Sequence, residues 1–192
     1  MGIGEVSAVP ANETRRAIFF DRDGVLNKSL VLDGKPHAPA DTDELEIFPE
    51  ARALLERLRA CGFLLFVATN QPNVSRGSHS RENVEAIHGV LRESMPLDEI
   101  FVCFHRDEDN CNCRKPRPGL LLDAAEKYGL DLTRCYMVGD RWRDVEAGQN
   151  ARCRTVWIDC GYAEKSPHGQ DFRAENLTGA VEWIINQDKV GA

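Results

Sequence analysis

The sequence predicts an α/β fold, a doubly wound parallel sheet with helices on both faces. Two observations lead to this prediction. Short apolar runs alternate with segments of helical periodicity, and each of the first four runs ends in polar or reactive side chains. Because strands that alternate with helices pair in parallel through right-handed crossovers, we expect their carboxyl ends to share one edge of the sheet.

Five short apolar runs predict the strands. Each run is bounded by turn-forming or charged residues, as is typical of strands buried within an α/β fold. The predicted strands cover residues 17–20, 63–69, 100–105, 136–139 and 155–158.

Five helices are predicted to separate and follow these strands. Pro49 begins the first helix at a position where its missing N–H costs nothing, and Gly62 follows as a stop. Ser80 is placed to cap the second helix, while Pro118 begins the third and Gly129 ends it. The remaining two helices are predicted at residues 142–149 and near residues 177–186.

Length and composition predict one folded domain over residues 17–192, after a flexible lead-in of residues 1–16. A chain of 192 residues with 42% hydrophobic side chains is large enough to bury a single substantial core. The longest irregular stretch, residues 27–46, is too short for a cap domain, and we interpret it as a substrate loop. The fold is therefore expected to be capless, and an active site that needs no cap favours a monomer.

Charge and cysteine content narrow the class of partner. The net charge of -7 disfavours binding to nucleic acid or to an anionic membrane. No apolar run reaches the roughly 18 residues of a membrane span, and the first sixteen residues lack the apolar core of a signal peptide. Seven cysteines, three of them in one short window, favour a reducing cytoplasmic compartment and a metal site over disulfides.

Two aspartates follow the first strand, in the segment Asp21-Arg22-Asp23-Gly24. Two carboxylates this close are costly unless a cation lies between them or one of them is protonated. Phosphoryl transfer through a carboxylate has this requirement, because one Asp attacks phosphorus while the other moves a proton. The pattern therefore predicts a small phosphorylated substrate.

The other strand ends supply groups that suit the same chemistry. Thr69, Asn70 and Gln71 follow the second strand and offer uncharged donors for phosphate oxygens. Beyond the third strand, the Arg114 guanidinium can hold a pair of oxygens and the Lys115 ammonium can balance negative charge. The fourth strand leads into another acidic segment, with Asp140 and Asp144. Clustered oxygen ligands beside a phosphate favour Mg²⁺.

Each piece has a simpler explanation when it is taken alone. An Asp-x-Asp-Gly segment is commonly a turn, Thr-Asn-Gln a loop, Gly-Asp a helix cap, and Arg-Lys a solvated pair of charges. Four such coincidences at four successive strand ends are much harder to explain than one shared site.

In this order the four pieces resemble the haloacid dehalogenase superfamily, over about residues 17–158. The resemblance implies a Rossmann-like phosphatase fold in which Asp21 is the nucleophile and Asp23 the general acid/base. It implies that Thr69 and Lys115 contact the phosphate. Mg²⁺ would be held by the Asp21 carboxylate, the Asp23 backbone carbonyl and Asp140, with Asp144 in a supporting role.

A second constellation lies between the third strand and Lys115. Cys103, His105, Cys111 and Cys113 form a Cys₃His set, which suits tetrahedral Zn²⁺ in a closed, structural site. Such a site would fix the loop that carries Arg114 and Lys115. The alternative is that Cys103 is an ordinary core residue and His105 an isolated surface imidazole. The remaining cysteines are expected to be small core residues or inert thiols: Cys61, Cys135, Cys153 and Cys160.

The zinc loop resembles the capless branch that contains heptose 1,7-bisphosphate 7-phosphatases and histidinol-phosphate phosphatases. The segments at 69–71, 76–77 and 114–119 favour the heptose enzymes, with Asn70, Gln71, Arg76 and Arg114 as substrate-binding residues. The short spacing from His105 to Cys111 favours the histidinol-phosphate enzymes. Residues 72–73 depart from the heptose pattern, as does the loop at 31–40.

Physical chemistry favours the sugar bisphosphate. Its second phosphate requires a cationic contact, which Arg114 is placed to supply, helped by Lys35, Arg76 or Arg141. Histidinol phosphate carries an amine and would require acidic partners, for which the available residues are Asp33, Asp41 and Asp43. Two other classes stay open: a phosphatase of nucleic-acid ends, which the acidic balance disfavours, and a non-catalytic binding module, which is disfavoured because every expected reactive group is present.

Overall fold

The computed structural model describes residues 15–191, and they form the predicted α/β architecture. Six parallel strands make one sheet in the order β5-β4-β1-β6-β7-β8, and a separate antiparallel pair joins β2 to β3. The strands are β1 Ala17–Phe20, β2 Leu30–Leu32, β3 Lys35–His37, β4 Leu64–Asn70, β5 Glu99–Cys103, β6 Tyr136–Gly139, β7 Arg154–Ile158 and β8 Phe172–Ala174.

Five helices connect and cover these strands: α1 Ala51–Ala60, α2 Arg81–Ser94, α3 Gly119–Tyr128, α4 Trp142–Asn150 and α5 Leu177–Gly191. The predicted caps of α2 and α3 are confirmed. The Ser80 hydroxyl accepts a hydrogen bond from the Asn83 amide at 3.0 Å, and Gly129 ends α3 in the left-handed conformation. No helix within residues 15–191 combines the length and the apolar character that crossing a membrane requires.

Helices pack on both faces of the sheet, as the fold class requires. Alternate residues of β1 point to opposite faces: Ile18 and Phe20 join the core formed with α1, α2 and α5, whereas Ala17 and Phe19 join the core formed with α3. Helix α4 lies on the α3 face, where Gly148 approaches Met137 so closely that an added Cβ would come within 2.8 Å. The two apolar layers hold the strand ends in a fixed arrangement.

Four parts of the structure differ from the sequence-based expectations. Helix α1 begins at Ala51, with Glu50 as its N-cap, rather than at Pro49. Strand β5 ends at Cys103 rather than at residue 105, because residues 104–105 turn away into the cysteine loop. Residues 27–46 contain the β2–β3 hairpin rather than only irregular chain. The short edge strand β8, Phe172–Ala174, was not predicted, because three residues carry too little periodicity to reveal a strand.

The predicted lead-in of residues 1–16 lies outside the described residues except for Arg15 and Arg16, and both of these belong to the fold. Arg15 forms a parallel bridge with Leu130. The Arg16 guanidinium lies 4.3 Å from the centre of the Phe63 ring and pairs with Asp188 of α5.

Candidate active site

The carboxyl ends of β4, β1 and β6 lie side by side and bring the predicted reactive residues together. Asp21 follows β1 and is tied to β6 by a hydrogen bond from its amide to the Val138 carbonyl at 2.9 Å. A cavity of about 420 Å³ opens at this edge, and its lining includes Asp21, Asp23 and Lys115. Ligands of open α/β sheets bind at this position.

Lys115 links two carboxylates at the floor of the site. Its Nζ lies 2.9 Å from Oδ1 of Asp21 and 2.5 Å from Oδ1 of Asp144, and its side chain is almost completely buried. Burial raises the pKa of Asp21 to about 6, with Lys115 opposing the shift and the Asp144 and Asp23 charges adding to it. Burial also lowers the pKa of Lys115, but the two carboxylates outweigh that effect and raise it. Lys115 is therefore charged, and Asp21 is largely ionised at neutral pH.

Three buried carboxylates form a cluster that fits a divalent cation. Oxygens of Asp21, Asp140 and Asp144 lie within 4.8 Å of one another. Burial, followed by the Asp21 and Asp144 charges, raises the pKa of Asp140 well above its usual value, although the Tyr162 hydroxyl opposes the shift. No well-aligned hydrogen bond from the described residues reaches either oxygen of Asp140. Buried, mutually repelling oxygens of this kind are the donor set that Mg²⁺ prefers.

Two glycines make this crowding possible. Gly24 has a φ of +88°, and a Cβ at that position would lie 1.9 Å from Oδ2 of Asp140. A Cβ at Gly139 would lie 2.1 Å from Cβ of Asp144. Side chains at either glycine would therefore displace the carboxylates.

Asp23 is held by three donors at the edge of the cavity. Its Oδ1 accepts from Arg22 Nε and from Asn27 Nδ2, both at 3.0 Å, and its Oδ2 accepts from Gln71 Nε2 at 2.8 Å. Burial raises the pKa of Asp23, but the Arg22 charge and the three hydrogen bonds outweigh burial and lower it. Sequence analysis missed the roles of Arg22 and Asn27, although an arginine between two aspartates was a visible signal.

Thr69 and Asn70 at the end of β4, and Gln71 just after it, make hydrogen bonds within the site. Gln71 Nε2 also lies 2.9 Å from the Thr69 hydroxyl, and both side chains are 1% exposed. Thr69 itself is not among the residues that line the cavity. Asn70 clamps the backbone of Lys115, since its Nδ2 donates to the Lys115 carbonyl and its Oδ1 accepts from the Lys115 amide, each at 3.1 Å. Asn70 and Gln71, predicted as substrate-binding residues, line the cavity and also contact Lys115 and Asp23, respectively.

Cations surround the mouth of the cavity, and most of them are paired. Arg114 and Arg143 both donate to Asp107 at 2.9 Å, and Arg141 pairs with Glu164. Two further cations of the lining, Lys35 and Arg76, have no ion pair with any residue of the described chain. Cations that lack a carboxylate partner are available to a substrate anion.

The four predicted metal ligands of the cysteine loop come together. Ligand atoms of Cys103, His105, Cys111 and Cys113 lie within 4.8 Å of one another, and all three cysteines are free thiols. The Sγ atoms are separated by 3.3 to 3.7 Å, and His105 Nδ1 lies 3.4 Å from Sγ of Cys113. Four such atoms could hold a metal ion, and the loop they would fix leads directly into Arg114 and Lys115.

Known proteins are similar to this chain in sequence. Residues 29–152 match the family of haloacid dehalogenase-like hydrolases. The D-glycero-beta-D-manno-heptose-1,7-bisphosphate 7-phosphatase of Helicobacter pylori strain J99 is 32% identical over 179 residues, covering 89% of this chain and 98% of that protein. The Pseudomonas aeruginosa protein of the same name is 35% identical over 153 residues, covering 77% and 83% of the two chains.

A solved structure supports the same relationship. The D,D-heptose 1,7-bisphosphate phosphatase from B. bronchiseptica, in complex with magnesium and phosphate, matches with a TM-score of 0.77 and 30% sequence identity, covering 91% of this chain and 99% of that one. Since the family matches more than half of the chain and these relatives are at least 30% identical over most of their length, the protein belongs to the haloacid dehalogenase-like hydrolases.

Proposed function

We propose that this protein is a Mg²⁺-dependent phosphatase that hydrolyses D-glycero-D-manno-heptose 1,7-bisphosphate at the 7-phosphate through a phosphorylated Asp21. The observation that carries the proposal is the buried cluster in which Lys115 bridges Asp21 and Asp144 beside Asp140. This cluster opens into a cavity that Asp23 also lines. It combines a nucleophile, a fixed cation and an oxygen-rich metal site.

Asp21 and Lys115 perform the first half of the reaction. An Asp21 oxygen attacks phosphorus, and the bond from phosphorus to the sugar oxygen breaks. Lys115, charged and buried, stabilises negative charge on the phosphoryl oxygens, and we assign the Thr69 hydroxyl to the same task. Mg²⁺ held by the Asp21 and Asp140 carboxylates and the Asp23 backbone carbonyl would offset the repulsion between these groups and the phosphate.

Asp23 moves the proton in both halves of the reaction. Its lowered pKa means that it is ionised in the free site. To act as an acid it must take up a proton from solvent, and the negative charge of the phosphate in the cavity favours that uptake. It gives that proton to the leaving sugar oxygen. It then removes a proton from the water that attacks phosphorus and releases Asp21.

The choice of a sugar bisphosphate rests on the relatives and on the charge of the cavity. Lys35 and Arg76 of the lining form no ion pair within residues 15–191, and Arg114 and Arg143 share the single carboxylate of Asp107. These groups suit a second phosphate. The acidic residues that could recognise histidinol phosphate, Asp33, Asp41 and Asp43, do not belong to the lining of the described cavity.

We assign Zn²⁺ to the cysteine loop as a structural ion. A tetrahedron with Zn–S bonds of about 2.3 Å has S–S edges of about 3.8 Å. The observed Sγ separations approach that value. We also propose that the protein is a monomer and that it is located in the cytoplasm. The second proposal is supported by its seven cysteines, all of which are free thiols.

Phosphate release tests the proposed function. We expect Mg²⁺-dependent hydrolysis with a kcat/KM about a hundredfold higher for the heptose bisphosphate than for histidinol phosphate, or about 2.7 kcal/mol of transition-state discrimination. Asp21→Asn provides the blank and should fold but not turn over. Normal turnover by Asp21→Asn would refute the mechanism, whereas a reversed preference would refute only the substrate.

A further inference from the structure

Arg22 is a completely buried charge that the proposed mechanism does not use. It lies between the two catalytic aspartates and has a relative exposure of 0%. Its Nε donates to Oδ1 of Asp23 at 3.0 Å, and its Nη1 lies 3.3 Å from Nε2 of His88. A buried guanidinium is costly unless its N–H groups have partners. These two contacts satisfy Nε and one N–H of Nη1, whereas Nη2 makes no hydrogen bond with the described residues.

His88, on the inner face of α2, is the anchor for Arg22. Its side chain is 1% exposed, and burial followed by the Arg22 charge lowers its pKa to about 3. The imidazole is therefore neutral at working pH, and its Nε2 accepts the hydrogen bond from Arg22. The proton then lies on Nδ1, which is 3.6 Å from the Glu85 carboxylate.

The donors around Asp23 are divided unequally between its two oxygens. Oδ1 accepts from both Arg22 and Asn27, whereas Oδ2 accepts only from Gln71 among the described residues. A carboxylate oxygen has two lone pairs, so Oδ1 is saturated and Oδ2 keeps one free.

We propose that Arg22, anchored by His88, is a positioning residue that holds Oδ1 of Asp23 and so makes Oδ2 the atom that carries the proton. This inference rests on the proposed function, because it takes Asp23 as the general acid/base. Among the described residues, Arg22 does not line the cavity, and it contacts Oδ1 rather than Oδ2 of Asp23.

The leaving group distinguishes this role from a general contribution to folding. An alkyl phosphate needs a proton on its leaving oxygen as the bond to phosphorus breaks, whereas p-nitrophenolate leaves without one. Both substrates form the same phosphorylated Asp21, and both then need Asp23 to remove a proton from water. A misplaced Asp23 should therefore block formation of the phosphoenzyme from the alkyl ester, and only its breakdown when the aryl ester is used.

The test compares Arg22→Met with wild type on the heptose bisphosphate and on p-nitrophenyl phosphate, in rapid-quench experiments with Mg²⁺. We expect turnover of the bisphosphate to fall by at least about a hundredfold with no phosphoenzyme. With p-nitrophenyl phosphate we expect a burst of about one nitrophenolate per site and a phosphoenzyme visible by intact mass. Arg16→Met is the control for loss of a partly buried arginine away from the site, and it should give no burst beyond that of wild type.

A second pair of variants covers the case in which Arg22→Met does not fold. His88→Leu removes the acceptor for Arg22, whereas His88→Gln keeps one, so His88→Leu should show the aryl-ester burst and the larger loss on the bisphosphate. Equal losses on both esters without phosphoenzyme, or rates near wild type in Arg22→Met and His88→Leu, would overturn the proposal. Turnover by Asp21→Asn or an inactive wild type would instead overturn the proposed function.

Discussion

Asp107 holds two of the arginines at the mouth of the cavity, and sequence analysis did not single it out. Its Oδ1 accepts from Arg114 Nε and from Arg143 Nη1, and its Oδ2 accepts from Arg114 Nη2 at 3.3 Å. The hydrogen bond from Arg114 is the main reason that the pKa of Asp107 is lowered, although partial burial opposes it. A second phosphate of the substrate must therefore compete with this carboxylate for Arg114.

Asp107→Asn should lower the KM for the bisphosphate by about two- to fivefold, because removal of a half-exposed charge frees Arg114 and Arg143 for the substrate. Steady-state kinetics on the bisphosphate and on a sugar monophosphate would measure this. The KM for the monophosphate serves as the control and should not change. A higher KM for the bisphosphate would show instead that Asp107 holds Arg114 in its binding position.

The β2–β3 hairpin carries one wall of the cavity on a two-residue turn. Asp33 and Gly34 have φ values of 50° and 72°, and Asp-Gly is one of the residue pairs that favour a two-residue hairpin turn. The Gly34 carbonyl accepts from the Ala163 amide at 2.8 Å, which ties the turn to the loop after β7. Lys35 and His37 then reach the cavity from β3.

Gly34→Ala should raise the KM severalfold and leave kcat nearly unchanged. The added Cβ would lie 2.9 Å from Cβ of Ala163, so the hairpin must shift and move Lys35. Gly129→Ala is the matched control, because its φ of +66° imposes the same strain but no atom of the described residues lies within 4 Å of the new Cβ. Equal KM and kcat values for the two variants would show that the hairpin does not contribute to substrate binding.

The cysteine loop connects β5 to Lys115. Cys103 ends β5, Cys113 precedes Arg114 and Lys115, and Arg117 donates to the Cys111 carbonyl at 2.6 Å. Ordering this loop therefore also orders the backbone on either side of Lys115.

Cys111→Ser should lose the proposed zinc, lower Tm by more than about 5 °C and reduce kcat/KM by at least about tenfold, because the Lys115 backbone loses support. Metal analysis, thermal unfolding and phosphate release would measure these effects. Cys61→Ser, outside the ligand set, should change none of them. Unaltered metal content in Cys111→Ser would refute the assigned site.

The molecule as a whole concentrates like charge at one edge of its sheet. Asp21, Asp140 and Asp144 are all buried, and Lys115 is the cation that pairs directly with two of them. The pKa of Asp21 is raised from 3.8 to about 6, so between these pH values the folded protein holds a proton that the unfolded chain has lost. The stability of the metal-free protein should therefore fall as pH rises through this window.

Asp140→Asn should stabilise the metal-free protein at pH 7, because it removes one of three repelling carboxylates, yet it should abolish activity. Thermal unfolding in a chelator at pH 4 and pH 7 would measure the change, and the variant should lose less stability between them than wild type. Added Mg²⁺ should raise the Tm of wild type only. A variant less stable than wild type at pH 7 would contradict the inferred repulsion.

Local sequence patterns predicted the main strands, the caps and most members of the candidate site. Apolar runs marked β1 and β6 with their observed bounds, and Ser80 and Gly129 marked helix ends, because these signals depend on neighbours within one or two turns. The Asp33-Gly34 hairpin could have been predicted on the same basis. Strand β8 could not, because three residues become a strand only by pairing with β7.

The sequence by itself determined the α/β class, the succession of reactive strand ends and the Cys₃His set, because each follows from residue type and spacing. Only the tertiary structure decided which groups touch: that Lys115 bridges Asp21 and Asp144, that Gln71 and Arg22 hold Asp23, and that Asp107 engages Arg114. These contacts join residues whose side-chain directions depend on the packing of separate elements. The folded sheet and its helices set the distances of a few ångströms between these side chains. Those distances cannot be inferred from how far apart the residues lie in the sequence.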